Sequence, residues 1–219
     1  MASYQNHISF SAAIGAAYAV GGVFFFNIYP ELTVLALALI IICGLIPDVD
    51  ANNGAPSREL GALLATVTPV VIIEFFPGFK AGGIARIALL AIGSYLFTRI
   101  VVVRALQKFT DHRGMLHSMP AAVIFFELAY LLFWDLYWKE RLYIASAAFL
   151  GFFSHLLLDA LGNVDIVGSA LGKAEKKKAV LKFVGDNLGI TLFMYASVLL
   201  LGWFVFKDVY PELRNYARL

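Results

Sequence analysis

The chain has 219 residues, of which 61% are hydrophobic and 15% charged, with a net charge of +2. Soluble domains are nearer half apolar and a quarter charged, so this composition and a mean hydropathy of +0.80 exclude an ordinary soluble protein and indicate an integral membrane protein. The small net charge argues against a nucleic-acid partner, and the single Cys43, inside an apolar run, rules out an intrachain disulfide.

The N-terminus, MASYQNHISF, carries no Lys or Arg and so lacks the basic start of a cleaved signal. Apolar blocks then follow at about 9–27, 32–47, 60–76, 84–106, 119–138, 141–161 and 187–206. A helix needs roughly 20 apolar residues to cross the hydrocarbon. The second and third blocks are short, which fits tilted, re-entrant or interfacial helices. Strand-type alternation is missing, and a chain in lipid must satisfy its own backbone. The fold class predicted is therefore all-α, a polytopic transmembrane bundle of about seven embedded helices. No linker or repeat divides the sequence, and residues 1–219 are expected to form one domain.

Seven crossings put the N-terminus and segments 48–59, 107–118 and 162–186 on one side of the membrane. Ten of the 17 Lys and Arg residues fall near that side. This bias places it in the cytoplasm of a multi-pass cell-membrane (inner or plasma membrane) protein. Trp134, Trp138, Tyr143 and Trp203 gather toward the other side, as an interfacial belt would.

The polar residues of this oily chain are few and clustered. His7 precedes the first long apolar block. Asp48 and Asp50 follow Pro47 at the end of the second, in a stretch expected to be extended, where a period of two would aim both carboxylates one way. Arg99 and Glu127 are intramembrane ionisables, expected to form a buried pair or to line a polar pocket under the polar cluster at that end. His112 and His117 flank the turn HRGMLH, with Asp111 and Arg113 beside them. Ser118 is placed to cap the next helix, whose first turn tolerates Pro120. His155 and Asp159 are four apart on one helical face. All four histidines and three of the aspartates thus collect at the same end of the predicted helices. Singly, each has an ordinary reading as an interfacial or turn residue. Together, imidazole plus carboxylate suits Zn, Mn or Fe, and seven N/O ligands (His7, Asp48, Asp50, His112, His117, His155 and Asp159) suit two divalent ions at one membrane boundary. The basic segment 172–186 fits a helix that gathers anionic lipid headgroups, or equally a plain cytoplasmic anchor. Asp186 and Asn187, at the start of the last block, are further candidates to reach the metals.

The early His7, PDVD with Asp48 and Asp50, HRGMLHS with His112, His117 and Ser118, and SHLLLDAL with His155 and Asp159 resemble the YdjM-type family of membrane-bound metal-dependent hydrolases. The resemblance covers roughly residues 5–165 in order and spacing. Leu116 stands where the family's usual motif has Thr, which removes a hydroxyl beside His117. The family looks distantly similar to zinc-dependent phospholipase C and related zinc nucleases, which implies phosphoester hydrolysis. Those enzymes use a second His-x-x-x-acid pair; none occurs here, which implies two metals, not three.

The expected function is hydrolysis of a phosphoester in a phospholipid or other amphiphilic substrate. Arg113, Asp50 and Asp111 are the catalytic candidates: Arg113 to neutralise developing charge, Asp50 to accept or relay a proton, and Asp111 to orient a ligand histidine. A divalent-metal transporter or a metal-binding membrane regulator is the alternative. Transport sites favour broken helices near the midplane, whereas these ligands collect at one end. A metalloprotease ranks last, because HExxH is missing.

Overall fold

A computed structural model of the protein describes residues 4–50, 55–75, 83–104, 117–162, 183–185 and 187–216. Among the described residues seven α-helices form: α1 (Tyr4–Phe26), α2 (Pro30–Cys43), α3 (Ala55–Phe75), α4 (Gly83–Phe97), α5 (Met119–Leu132), α6 (Trp138–Gly162) and α7 (Leu188–Tyr216). Among the described residues there is no β-strand. Five stretches of the described residues are long and apolar enough to cross a membrane: Gln5–Phe26, Pro30–Asp48, Gly83–Val102, Trp138–Leu161 and Leu188–Arg214. Shorter apolar helices occupy Gly61–Val70 and Met119–Leu132.

Each predicted block corresponds to a helix, but the lengths differ, most at the seventh, which runs ten residues past its expected end, to Tyr216. The second block, expected to be short, gains crossing length from the 3-10 turn Ile46–Asp50 that follows α2. The fifth, expected to run to 138, stops at Leu132. The carbonyls of a last helical turn need outside partners. The Tyr130 carbonyl finds one in Arg141, whose Nε donates to it at 3.1 Å across the turn into α6.

The chain forms two compact units, residues 1–47 with 113–219, and residues 48–112. In the first, α6 is the central helix and packs against α1, α2 and α5; α1 also packs on α2, and α7 on α5. Small residues permit this. Ala145, Ala147 and Ala148 are buried on α6, opposite Ala36 and Ile40 of α2 and Ala121, Ala122 and Ala129 of α5. Lipid tails are as apolar as leucine, so helices in a membrane associate through close packing and interhelical hydrogen bonds. At Gly151 the helix backbones approach closely: a Cβ there would fall on the Ile40 carbonyl and lie 2.8 Å from its Cα.

Tyr18 of α1 and Tyr143 of α6 stack with centroids 4.6 Å apart. Each hydroxyl donates to the other residue's carbonyl, at 2.9 Å and 3.3 Å. Tyr143 is therefore a buried clasp between helices and not a member of the expected interfacial belt, whereas Trp134 and Trp203 are exposed. A second clasp holds α7. Arg141 Nη1 donates to Asp208 Oδ2 at 2.6 Å, the Tyr130 hydroxyl donates to the same oxygen at 2.6 Å, and the guanidinium lies 4.1 Å from the Tyr130 ring centroid. Arg141 is buried but the Asp208 side chain is 44% exposed, so the pair is partly screened. Asp208→Asn is expected to cost about 1–2 kcal/mol, less than the roughly 3–5 kcal/mol of a fully buried pair. Thermal unfolding of the detergent-solubilised variant measures it.

In the second unit, α3 packs on α4 and on the π turn Thr98–Val102 that continues it. Gly61 of α3 leaves room for Arg99 and Val103. Arg99 and Glu127, the two intramembrane ionisables, fall in different units. Arg99 lies against Gly61, and Glu127 of α5 lies against Gly202 of α7.

Candidate metal centre

The candidate site lies at one end of the first unit, where three helices present their termini. His7 is one turn inside the start of α1, Asp159 is one turn before the end of α6, and His117 immediately precedes the cap of α5. His155 sits one turn below Asp159 on the same face of α6. The segment holding His117 is set by local chemistry. Ser118 is extended and its Oγ accepts the Ala121 N–H at 3.4 Å, and Pro120 occupies the first turn of α5, as the sequence predicts.

His7, His117, His155 and Asp159 are all buried. The rings of His7 and His155 stack with centroids 4.0 Å apart and planes 14° apart. His117 meets His155 edge-on at 5.4 Å. The Asp159 carboxylate divides its oxygens: Oδ1 lies 3.5 Å from His7 Nε2 and Oδ2 lies 3.8 Å from His155 Nε2. One ligand atom each from His117, His155 and Asp159 falls within 4.8 Å of the others. Two donors about 2.0–2.1 Å from a tetrahedral zinc stand about 3.3–3.5 Å apart, so these separations are close to those of shared ligands.

Hydrogen bonding fixes how His155 presents itself. Its Nδ1 lies 2.9 Å from the Gly44 carbonyl at the end of α2. A carbonyl only accepts, so Nδ1 carries a proton, and in a neutral ring Nε2 is then the atom with a lone pair, on the side of Asp159. Metal-ligating histidines are held in this way by a partner on the other ring nitrogen. A polar layer lies one turn deeper. Ser154 donates to the Gly151 carbonyl at 2.6 Å, which leaves its oxygen to accept from Ser11 at 2.8 Å. The buried Nδ1 of His7 has no hydrogen-bond partner among the described residues. Burying a polar atom without a partner costs about 1–3 kcal/mol, and a cation ligated by the ring would offset that. The donor set thus fits a divalent metal.

The family model described as YdjM inner membrane protein matches residues 1–168. The chain belongs to this family. With five helices of crossing length and composition, this YdjM protein is a multi-pass inner membrane protein. No curated protein and no solved structure matches it. The matched region contains every residue of the predicted ligand set; α7 lies beyond it.

The other predicted residues fare differently. Asp48 and Asp50 lie in the 3-10 turn Ile46–Asp50, where the second unit begins. The extended stretch expected there is not formed. A 3-10 turn repeats every three residues, so strand periodicity does not apply to this stretch. Asp111, His112 and Arg113 lie outside the described residues, as do Asp186 and residues 172–182 of the basic segment. Asn187 is the helix cap of α7: its Oδ1 accepts the N–H of Gly189 at 2.9 Å and of Ile190 at 3.2 Å. Three contributors have no precedent in the sequence reading. The Gly44 carbonyl leaves no side-chain signal. Ser11 and Ser154 do leave one, since Ser11 is one turn from His7 and Ser154 adjoins His155.

Proposed function

We propose that this YdjM protein is an integral membrane metal-dependent hydrolase that cleaves a phosphoester of a phospholipid or another amphiphilic substrate. The observation that carries the reading is the burial of three imidazoles around one carboxylate at the ends of apolar helices, with His155 already oriented by Gly44. His7, His117, His155 and Asp159 would hold divalent cations, zinc first and manganese or iron next. Asp48, Asp50 and His112 join them on the strength of the sequence pattern, and the ligand number suits two ions. When bound, such ions lower the pKa of water and polarise phosphoryl oxygens.

The residues of the chain do the rest. His155 keeps its Nε2 directed at Asp159 because Gly44 holds Nδ1. Asp159 supplies its two oxygens to different imidazoles. Arg113 would neutralise charge developing on a phosphate, Asp111 would orient a histidine, and Asp50 would accept or relay the proton. A site at the membrane boundary lets a headgroup reach the ligands while acyl chains stay among apolar helices. The charge bias of the sequence puts that boundary on the cytoplasmic side.

Metal analysis of the purified protein, followed by turnover of a panel of phospholipids and soluble phosphoesters, tests this. Bound divalent metal together with hydrolysis of a lipid phosphoester is the expected result. Protein free of metal and inactive after zinc or manganese is supplied would refute the reading. Bound metal without hydrolysis would favour a transporter or metal-binding regulator.

A further inference from the structure

Glu127 stands apart from the candidate centre. It is eight residues beyond Met119, the first residue of α5, about 12 Å along the helix at 1.5 Å per residue. The side chain is buried, with the residue only 6% exposed, and its Oε2 has no hydrogen-bond partner among the described residues. Its Oε1 is pressed on α7 at Gly202, where a Cβ would come within 2.8 Å of it. A Cβ at 202 would shift this oxygen, the far end of the Glu127 side chain, from its place on α7.

The helices packed on α5 are α6 and α7, and their charged groups at this end are engaged elsewhere or exposed. On α6, Arg141 is bonded to Asp208 and to the Tyr130 carbonyl, Lys139 lies over the Trp138 ring, and Glu140 accepts from the Tyr137 N–H. On α7, Asp208 is held by Arg141 and the Tyr130 hydroxyl, while Lys207, Glu212 and Arg214 are exposed. Among the described residues none of these pairs with Glu127. An ionised carboxylate in a seam of apolar side chains and a glycine backbone would be an unpaired buried charge. Binding one proton removes that charge.

We propose that Glu127 is a proton-binding site in the seam between α5 and α7, carrying its proton at neutral pH and keeping α7 docked on α5 only while it does. The ligand is the hydron itself. Gly202 supplies the space in which the neutral acid fits, and loss of the proton drives water or a counter-ion into the seam.

Glu127→Gln copies the shape and neutrality of the protonated acid, so it is the informative variant. Thermal unfolding of wild type and variant is followed in the same detergent from about pH 5 to pH 7. In the unfolded chain a glutamate ionises near pH 4.3. If the folded protein keeps the proton, the folded state binds more protons than the unfolded one, and wild-type stability falls as pH rises. The folding constant of wild type relative to Glu127→Gln should then drop by up to about tenfold per pH unit. A difference that stays constant across this range would overturn the proposal, because it means that Glu127 is ionised in the folded protein too. Infrared spectra of wild type with carbon-13-labelled glutamate provide a readout that needs no variant. A neutral glutamic acid band is expected at pH 7, and its absence would equally overturn the proposal.

Discussion

Replacing His155 by alanine is expected to strip divalent metal from the purified protein and to abolish turnover of its substrate. No other side chain touches so many parts of the site. It stacks on His7, meets His117 edge-on, faces Asp159 and is bonded to the end of α2. Losing a group that merely orients a ligand costs about 10–100-fold in metal affinity, so losing the ligand and its bond to Gly44 together should cost at least about 100-fold. Turnover should fall by about 10³-fold or more, since removal of one charge-stabilising donor already costs about 10²–10³-fold. Alanine suits a helix interior, so α6 should persist, and circular dichroism checks that it does. The neighbouring Ser154→Ala is the control. It deletes the bonds to Ser11 and Gly151 at a cost of about 1 kcal/mol but removes no ligand, so metal content should be retained. Metal lost equally from both variants would mean that the site responds to packing damage and that His155 is no ligand.

The contrast between these adjacent residues shows what can be read from sequence in such a protein. Helices announce themselves through apolar length, because lipid imposes a fixed span and leaves the backbone no partners but its own. All seven blocks become helices for that reason. Local chemistry is equally legible: the Ser118 cap and the His155–Asp159 spacing depend only on positions near in the chain. Tertiary pairing is what the sequence conceals. Tyr143 looks like an interfacial aromatic, yet it is buried by a stack with Tyr18, 125 residues away. The direction of Asp48 and Asp50 was argued from strand periodicity, but the chain after Pro47 winds into a 3-10 turn. The Gly44 carbonyl that fixes His155 has no side chain to betray it. Sequence therefore indicates which residues could ligate, and the packing of α1, α2 and α6 decides which of them meet.

That packing leads to the second large effect, expected from Gly151→Ala. Gly151 and His155 are one turn apart on α6, and their partners Ile40 and Gly44 are one turn apart on α2. The two contacts are successive rungs between the same helices. The lower rung sets the helix separation at which the upper hydrogen bond forms. A methyl group at 151 would meet the Ile40 backbone, which cannot swing aside as a flexible side chain could. The helices must part, at a cost of about 1–3 kcal/mol or somewhat more for overpacking. The His155–Gly44 bond, already 2.9 Å, would lengthen as they do. Metal affinity should fall by about 10–100-fold although no ligand has been touched. Gly93→Ala on α4 is the matching control, because a Cβ there meets nothing within 4 Å. It should leave metal affinity unchanged and stabilise the helix by up to about 1 kcal/mol. Metal titration and thermal unfolding of the two variants together distinguish a centre built by close helix approach from one that its ligands assemble unaided. In the second case Gly151→Ala would lose stability while binding metal as tightly as before.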